Sequence, residues 1–161
     1  MLYVCNPAGI LSQAACDTID TMLHALEQQS AIETVVAIVP SIGDMECFDF
    51  CHQLLNQWGV GKKGKDNGLV ILLVTDQRCI QFYTGYGLEG VLPDAICKRI
   101  QTKYMIPYLK DGNWNEGMVA GIRATCQRLD GSMENESLSE SNNESMDFIF
   151  AVILFAVIGV G

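Results

Sequence analysis

The apolar positions fall into two spacings that alternate along the chain. Cys16, Ile19, Leu23 and Leu26 recur at helical intervals behind Ser12, a residue suited to cap a helix start. Residues 34–39 (TVVAIV) form a β-branched run closed by Pro40, which reads as a buried strand. Cys47 and Phe48, Cys51, Leu54 and Leu55, and Trp58 return to helical spacing, and Gly59 ends that helix. Residues 69–75 (LVILLVT) predict a second buried strand. Asp76 and Gln77 turn the chain, and residues 78–84 come back as a third, antiparallel strand. Ile96, Ile100 and Tyr104 predict a third helix that starts near Pro93 and stops at Pro107. Asn113 caps a fourth, with Glu116 in the capping-box position and Met118, Ile122, Cys126 and Leu129 as its buried face. Residues 1–4 (MLYV) run straight into a turn and lack a signal-peptide pattern. The order helix, strand, helix, strand, strand, helix, helix predicts an α/β layered fold around a small mixed sheet.

The pattern changes after residue 129. Residues 130–147 (DGSMENESLSESNNESMD) are rich in Ser, Asn and Glu and poor in large apolar groups. They cannot bury enough surface to offset ordering entropy, so an acidic disordered linker is expected. Residues 148–161 (FIFAVILFAVIGVG) then hold fourteen residues without a polar side chain. A spanning helix needs about 20 apolar residues. The run is therefore expected to be the start of a truncated transmembrane helix, the alternative being a buried helix packed back on the domain. No Lys or Arg lies between Arg128 and the run, so the positive-inside rule places the linker and the domain outside the cytoplasm.

Charge follows the same division. The net charge is −9, of which six negative charges lie at Asp130, Glu134, Glu136, Glu140, Glu144 and Asp147. All ten Lys and Arg precede residue 129. An acidic chain of this kind lacks the cationic surface that phosphate neutralisation requires, which excludes a nucleic-acid binder. Seven scattered cysteines cannot all pair within the chain and do not outline a small disulfide scaffold.

Two glycine patterns imitate phosphate loops. GVGKKGK at 59–65 fits G-x-x-x-x-G-K, but Asp66 stands where Ser or Thr would hold magnesium, and the order is helix, loop, strand. GYGLEG at 85–90 fits G-x-G-x-x-G, but it follows a hairpin strand, Pro93 delays the helix, and Glu89 would face the pyrophosphate. No nucleotide is expected, and glycines at positive φ explain the second pattern. Cys47, Cys51 and His52 lie close on one helix, but a zinc site needs a fourth ligand and His24 is the only other histidine. Apolar periodicity explains both cysteines as core residues.

Four segments occur together in order: NPAGILS at 6–12, WGVGKKGKDNGL at 58–69, TGYGLEG at 84–90 and LPD at 92–94. In them the chain resembles the TPM domain family, over residues 3–129, as a bacterial membrane-anchored member. The resemblance implies a three-layer α/β/α sandwich, with domain 1–129, linker 130–147 and membrane segment 148–161. It implies an extracytoplasmic placement. It also implies diverse activities: acid phosphatase chemistry, upkeep of membrane protein complexes, and binding of calcium or another divalent cation.

The signature loops flank strand ends, where α/β sheets place their sites. They are expected to bring Asn6, Asp66, Asn67, Glu89 and Asp94 to one edge as a metal site, since hard cations take several oxygen ligands from convergent loops. The family pattern has Asp where this chain has Asn6, which lowers the charge of the site. Each residue also has a plainer reading: Asp66 to Gly68 as a turn, Asp94 as a helix-start residue, Glu89 as a solvated loop residue. No D-x-D-x-T, C-x5-R or histidine nucleophile motif is present, so hydrolysis would depend on a metal held by Asp66 and Glu89. Two functions follow. The favoured one is a module that aids assembly or turnover of membrane protein complexes, with a membrane-protein partner. The other is a metal-dependent, acid-phosphatase-like hydrolase.

Overall fold

The computed structural model describes residues 3–60 and 67–131. Residues 132–147 of the linker, the apolar run at 148–161 and Asp66 lie outside the described residues. No helix among the described residues is long and apolar enough to cross a membrane.

The elements are β1 (Val4–Cys5), α1 (Gln13–Ser30), β2 (Glu33–Val39), α2 (Cys47–Gln57), β3 (Gly68–Val74), β4 (Cys79–Thr84), α3 (Asp94–Ile100), α4 (Ile106–Leu109) and α5 (Trp114–Leu129). A 3-10 turn spans Tyr86–Leu88, and a π turn at Gln101–Met105 joins α3 to α4. The four strands form one sheet in the order β1-β2-β3-β4, parallel except for β4, which is antiparallel to β3.

All seven residues of β3 are buried, as an apolar run covered on both faces must be. Its side chains alternate between two cores. Leu69, Ile71 and Leu73 face α1, α3 and α5, while Val70, Leu72 and Val74 face α2. The result is the three-layer α/β/α sandwich, with α2 alone on one side. Ser12 caps α1 through its Oγ, which accepts the Ala15 N–H at 3.1 Å, and Cys16, Ile19, Leu23 and Leu26 are all buried. Gly59, at φ 60°, follows the last turn of α2 and reverses the chain in a conformation that favours glycine.

The structure departs from the sequence reading at several points. Tyr3 does not lead into a turn directly. It precedes a two-residue strand whose Val4 pairs with Val36, too short to leave a periodic signature. Pro107 does not stop the third helix. The wider π turn before it lets the backbone restart as α4, and the missing Pro N–H falls in a first turn, where no partner is required. Asn113 does not cap α5 with its side chain. Instead the Asn113 N–H donates to the Tyr108 carbonyl at 3.0 Å and closes the α4–α5 turn. Along α5, Gly117 and Gly121 are buried beside Met118 and Ile122, because a Cβ at 117 would lie 2.6 Å from Leu109 and one at 121 would collide with Met105. Phe48 and Trp58 are exposed rather than core, at 55% and 45%. Cys47 and Cys79 form a disulfide, with Cα atoms 6.9 Å apart, that ties α2 to β4. The other five, Cys5, Cys16, Cys51, Cys97 and Cys126, are free.

Candidate functional site

Of the predicted site residues that the structure describes, Asn6 lies apart from Asn67, Glu89 and Asp94, and Asp66 falls outside the described residues. Asn6 follows the C-terminal end of β1, level with Ile38 on β2 and Leu73 on β3. Asn67 precedes β3 at the other end of the sheet. Six residue steps separate the two levels, roughly 20 Å at the rise of a strand. Glu89 and Asp94 belong with Asn67, because β4 ends at Thr84, opposite Leu69 at the start of β3.

Asn6 is committed to its own loop. Its Oδ1 accepts the Ile10 and Leu11 N–H groups at 3.0 and 3.3 Å, and its Nδ2 donates to the Leu11 carbonyl at 2.9 Å and approaches Cys16 Sγ at 3.4 Å. It acts as a clamp that shapes the path from β1 to Ser12. Asn67 is a clamp of the same kind. Its side chain donates to the Ala31 carbonyl, and its own carbonyl accepts the Glu33 N–H at 3.2 Å. The C-terminal end of the parallel strands is closed by further bonds. The Ser12 N–H donates to Asn115 Oδ1 at 2.9 Å. Arg78, at φ 50°, donates to the Lys110 and Leu109 carbonyls and stacks over Trp114. The usual ligand end of an α/β sheet is here used by the fold.

Among the described residues, an opening lies elsewhere. A depression of 510 Å³ runs beside the outer edge of β4. Gln81, Phe82, Tyr83 and Thr84 form its floor, Phe48 of α2 one wall, and Glu89, Pro93, Asp94 and Cys97 the other. Since α2 and α3 cover opposite faces of the sheet, the groove straddles the edge of the strand. Tyr83 packs between Phe48, at 5.1 Å between ring centroids, and His52, stacked at 5.4 Å with the planes 8° apart. Tyr86, 79% exposed, stands at the end where Glu89 lies. Asp94 pairs with Lys98 at 3.1 Å, one helical turn on, but 84% of the Asp94 side chain is exposed, so the pair contributes little.

The described lining of the groove is acidic and carries no activated nucleophile. Burial pushes the Cys97 thiol up to about 12, and the nearby Asp94 charge pushes the same way. Cys51, beneath the sheet, is raised to about 12 by burial alone. Both stay protonated at neutral pH. His24 and His52 sit on α1 and α2, on opposite faces of the sheet, which separates the histidines of the zinc reading. Among the described residues no group of three His, Cys, Asp or Glu converges as metal ligands would. The 85–90 glycines do not sit at positive φ, contrary to the sequence expectation. Gly87 lies in the short 3-10 turn between β4 and α3, with Gly85 capping its start and Gly90 following it.

Sequence reasoning missed Phe48, Gln81 and Tyr83. Phe48 lies next to Cys47 in the apolar pattern of α2, and only its position at the rim of the sheet turns it outward.

The TPM domain profile matches residues 4–128. No curated protein matches the chain. Among solved structures, the chain is similar to the N-terminal domain of a protein from P. gingivalis, at 46% identity and TM-score 0.75, over 81% of this chain and 83% of that one. It shares its fold with the BA42 protein of Bizionia argentinensis, at 17% identity and TM-score 0.61, over 78% of this chain and 86% of that one. The N-terminal domain of cg2496 from Corynebacterium glutamicum gives 17% identity and TM-score 0.60, over 88% and 82%. The order of the elements, the four sequence motifs and these likenesses agree, and the chain belongs to the TPM domain family.

Proposed function

We propose that the domain is a non-catalytic interaction module that works outside the cytoplasm, tethered to a membrane through residues 148–161, and that it engages a membrane protein during assembly or turnover of a complex. The observation that carries this reading is the groove on β4. It combines an open strand edge, exposed aromatic groups and two carboxylates, and none of its described lining residues is a Lys, Arg or His. A phosphate monoester placed there would meet the carboxylates of Glu89 and Asp94, and among the described residues the cation beside them is Lys98, already paired with Asp94, which disfavours the acid-phosphatase alternative at this site. The Cys47–Cys79 disulfide supports an oxidising compartment and so the extracytoplasmic placement.

Calcium or another divalent cation has a minor place in this reading. Calcium takes six to eight oxygens. The described residues at this end offer the carboxylates of Glu89 and Asp94, one of them paired with Lys98, while Asn6 and Asn67 are engaged in backbone hydrogen bonds. The donor set is incomplete without Asp66, and the partner-binding role does not depend on the ion.

The test is site-specific photo-cross-linking in intact cells, with a photoreactive phenylalanine at position 48 and, as control, at Thr21 on the opposite face. Adducts with a membrane protein from position 48 alone, lost when Glu89 and Asp94 are both changed to Lys, are expected. Equal adducts from both positions refute the reading. So does divalent-dependent phosphate monoester hydrolysis that Glu89→Gln abolishes.

A further inference from the structure

β4 ends the sheet, and its hydrogen-bonding pattern fixes which groups point outward. The Gly85 N–H donates to the Gly68 carbonyl at 2.7 Å, which marks Gly68 and Gly85 as a position where the two strands face each other with their hydrogen-bonding groups. In an antiparallel ladder such pairs alternate. Tyr83 and Gln81 therefore bond β3, while Thr84, Phe82 and Ile80 turn their N–H and C=O groups away from it. The Phe82 carbonyl accepts a hydrogen bond from the side-chain amide of Gln81 at 3.0 Å, a local donor in the place a neighbouring strand would occupy.

We propose that an extended segment of a partner protein, carrying Lys or Arg among apolar residues, adds to β4 as a fifth strand. This rests on the interaction-module reading above and names what the groove takes. The floor from Gln81 to Thr84 is four residues long, about 13 Å at the rise of a strand, and fits a short extended segment. Alternate side chains of that segment meet Phe48 and Tyr83 on one face of the sheet and the Phe82 side on the other. Its basic residue lies at the Thr84 end, against Glu89 and Asp94.

Charge selects this occupant over two others. The chain beyond residue 131 holds five acidic residues and no Lys or Arg, so its own tail is repelled by the two carboxylates. A second copy would offer its β4, whose six residues carry no charge. Arg78, next to that strand, is held by the Lys110 carbonyl and Trp114.

The test uses the full chain in detergent micelles and three acetylated hexapeptides. One alternates Val with Lys, one alternates Val with Glu, and the third is the Lys peptide N-methylated on alternate residues. Backbone NMR and amide exchange are read. The Lys peptide is expected to shift the amides of Ile80, Phe82 and Thr84 and slow their exchange at least tenfold. The Glu peptide should bind at least tenfold more weakly, and N-methylation should abolish protection. Glu89→Gln combined with Asp94→Asn, both on the surface, should weaken the Lys peptide about tenfold. Charge-indifferent binding, shifts without protection of those amides, or no binding at millimolar Lys peptide each overturns the proposal. Protection of the same amides by self-association, without peptide, assigns the edge to a second copy and also overturns it. If cross-links from position 48 persist while the peptides fail, the module reading stands and strand addition falls. If both fail, the groove is not a docking surface.

Discussion

The sharpest separation between a cation ligand and a structural clamp comes from substituting Asn6. Asn6→Ala removes the acceptor for the Ile10 and Leu11 N–H groups and the donor to the Leu11 carbonyl. Leu11 is buried, so its carbonyl and N–H have little access to water. Two of the three bonds are well formed, at 2.9 and 3.0 Å, and the third is longer. At a net contribution of about 1 kcal/mol per bond, the loss is roughly 2 kcal/mol. For a folded part of this size that corresponds to a fall in Tm of about 6–10 °C. Asn6→Asp is the discriminating variant. It keeps the acceptor but sets a carboxylate oxygen against the Leu11 carbonyl in place of a donor, at a cost of about 1–2 kcal/mol. It also restores the carboxylate of the family pattern. Thermal unfolding of both variants, with and without 5 mM calcium, is the assay. Both variants are expected to lose stability, and calcium should raise the Tm of Asn6→Asp no more than that of the unaltered protein. An Asn6→Asp protein as stable as the original, with a calcium-induced rise several degrees larger, would refute the clamp argument.

Three further outcomes are expected. Denatured, unreduced protein should titrate five thiols and reduced protein seven, and in the native state at pH 8 Cys51 and Cys97 should resist alkylation, because a thiol raised to about 12 forms almost no thiolate there. Gly121→Ala places a methyl group into the buried Met105 side chain and should cost about 1–3 kcal/mol by chemical denaturation, whereas Gly90→Ala, with nothing within 4 Å of the new methyl, should change stability by less than about 0.5 kcal/mol. Calcium should act on the unaltered protein only at millimolar concentration, the range of weak extracellular sites, and a submicromolar Kd by calorimetry would show that Asp66 completes a strong site.

Residue patterning alone determined most of the architecture. The strands β2 and β3 are legible because they are buried on both faces and so must be continuous apolar runs. The helix α1 is legible because Ser12 and a 3.6-residue period mark one buried face. Those signals are local, and so are the motifs that identify the family. The tertiary structure alone decided the rest. Val4 and Cys5 become a strand only because β2 offers an edge. Pro107 sits inside a helical segment only because a π turn precedes it. Cys47 and Cys79 meet through the placement of α2 against β4, and a separation of 32 residues leaves no local trace of that. The candidate site follows the same rule. Glu89 and Asp94 were readable as acidic loop residues, but the end of the sheet on which a loop emerges depends on strand direction. That direction puts Asn6 roughly 20 Å from Asn67 and leaves the edge of β4, with Phe48 and Tyr83 beside it, as an open surface among the described residues.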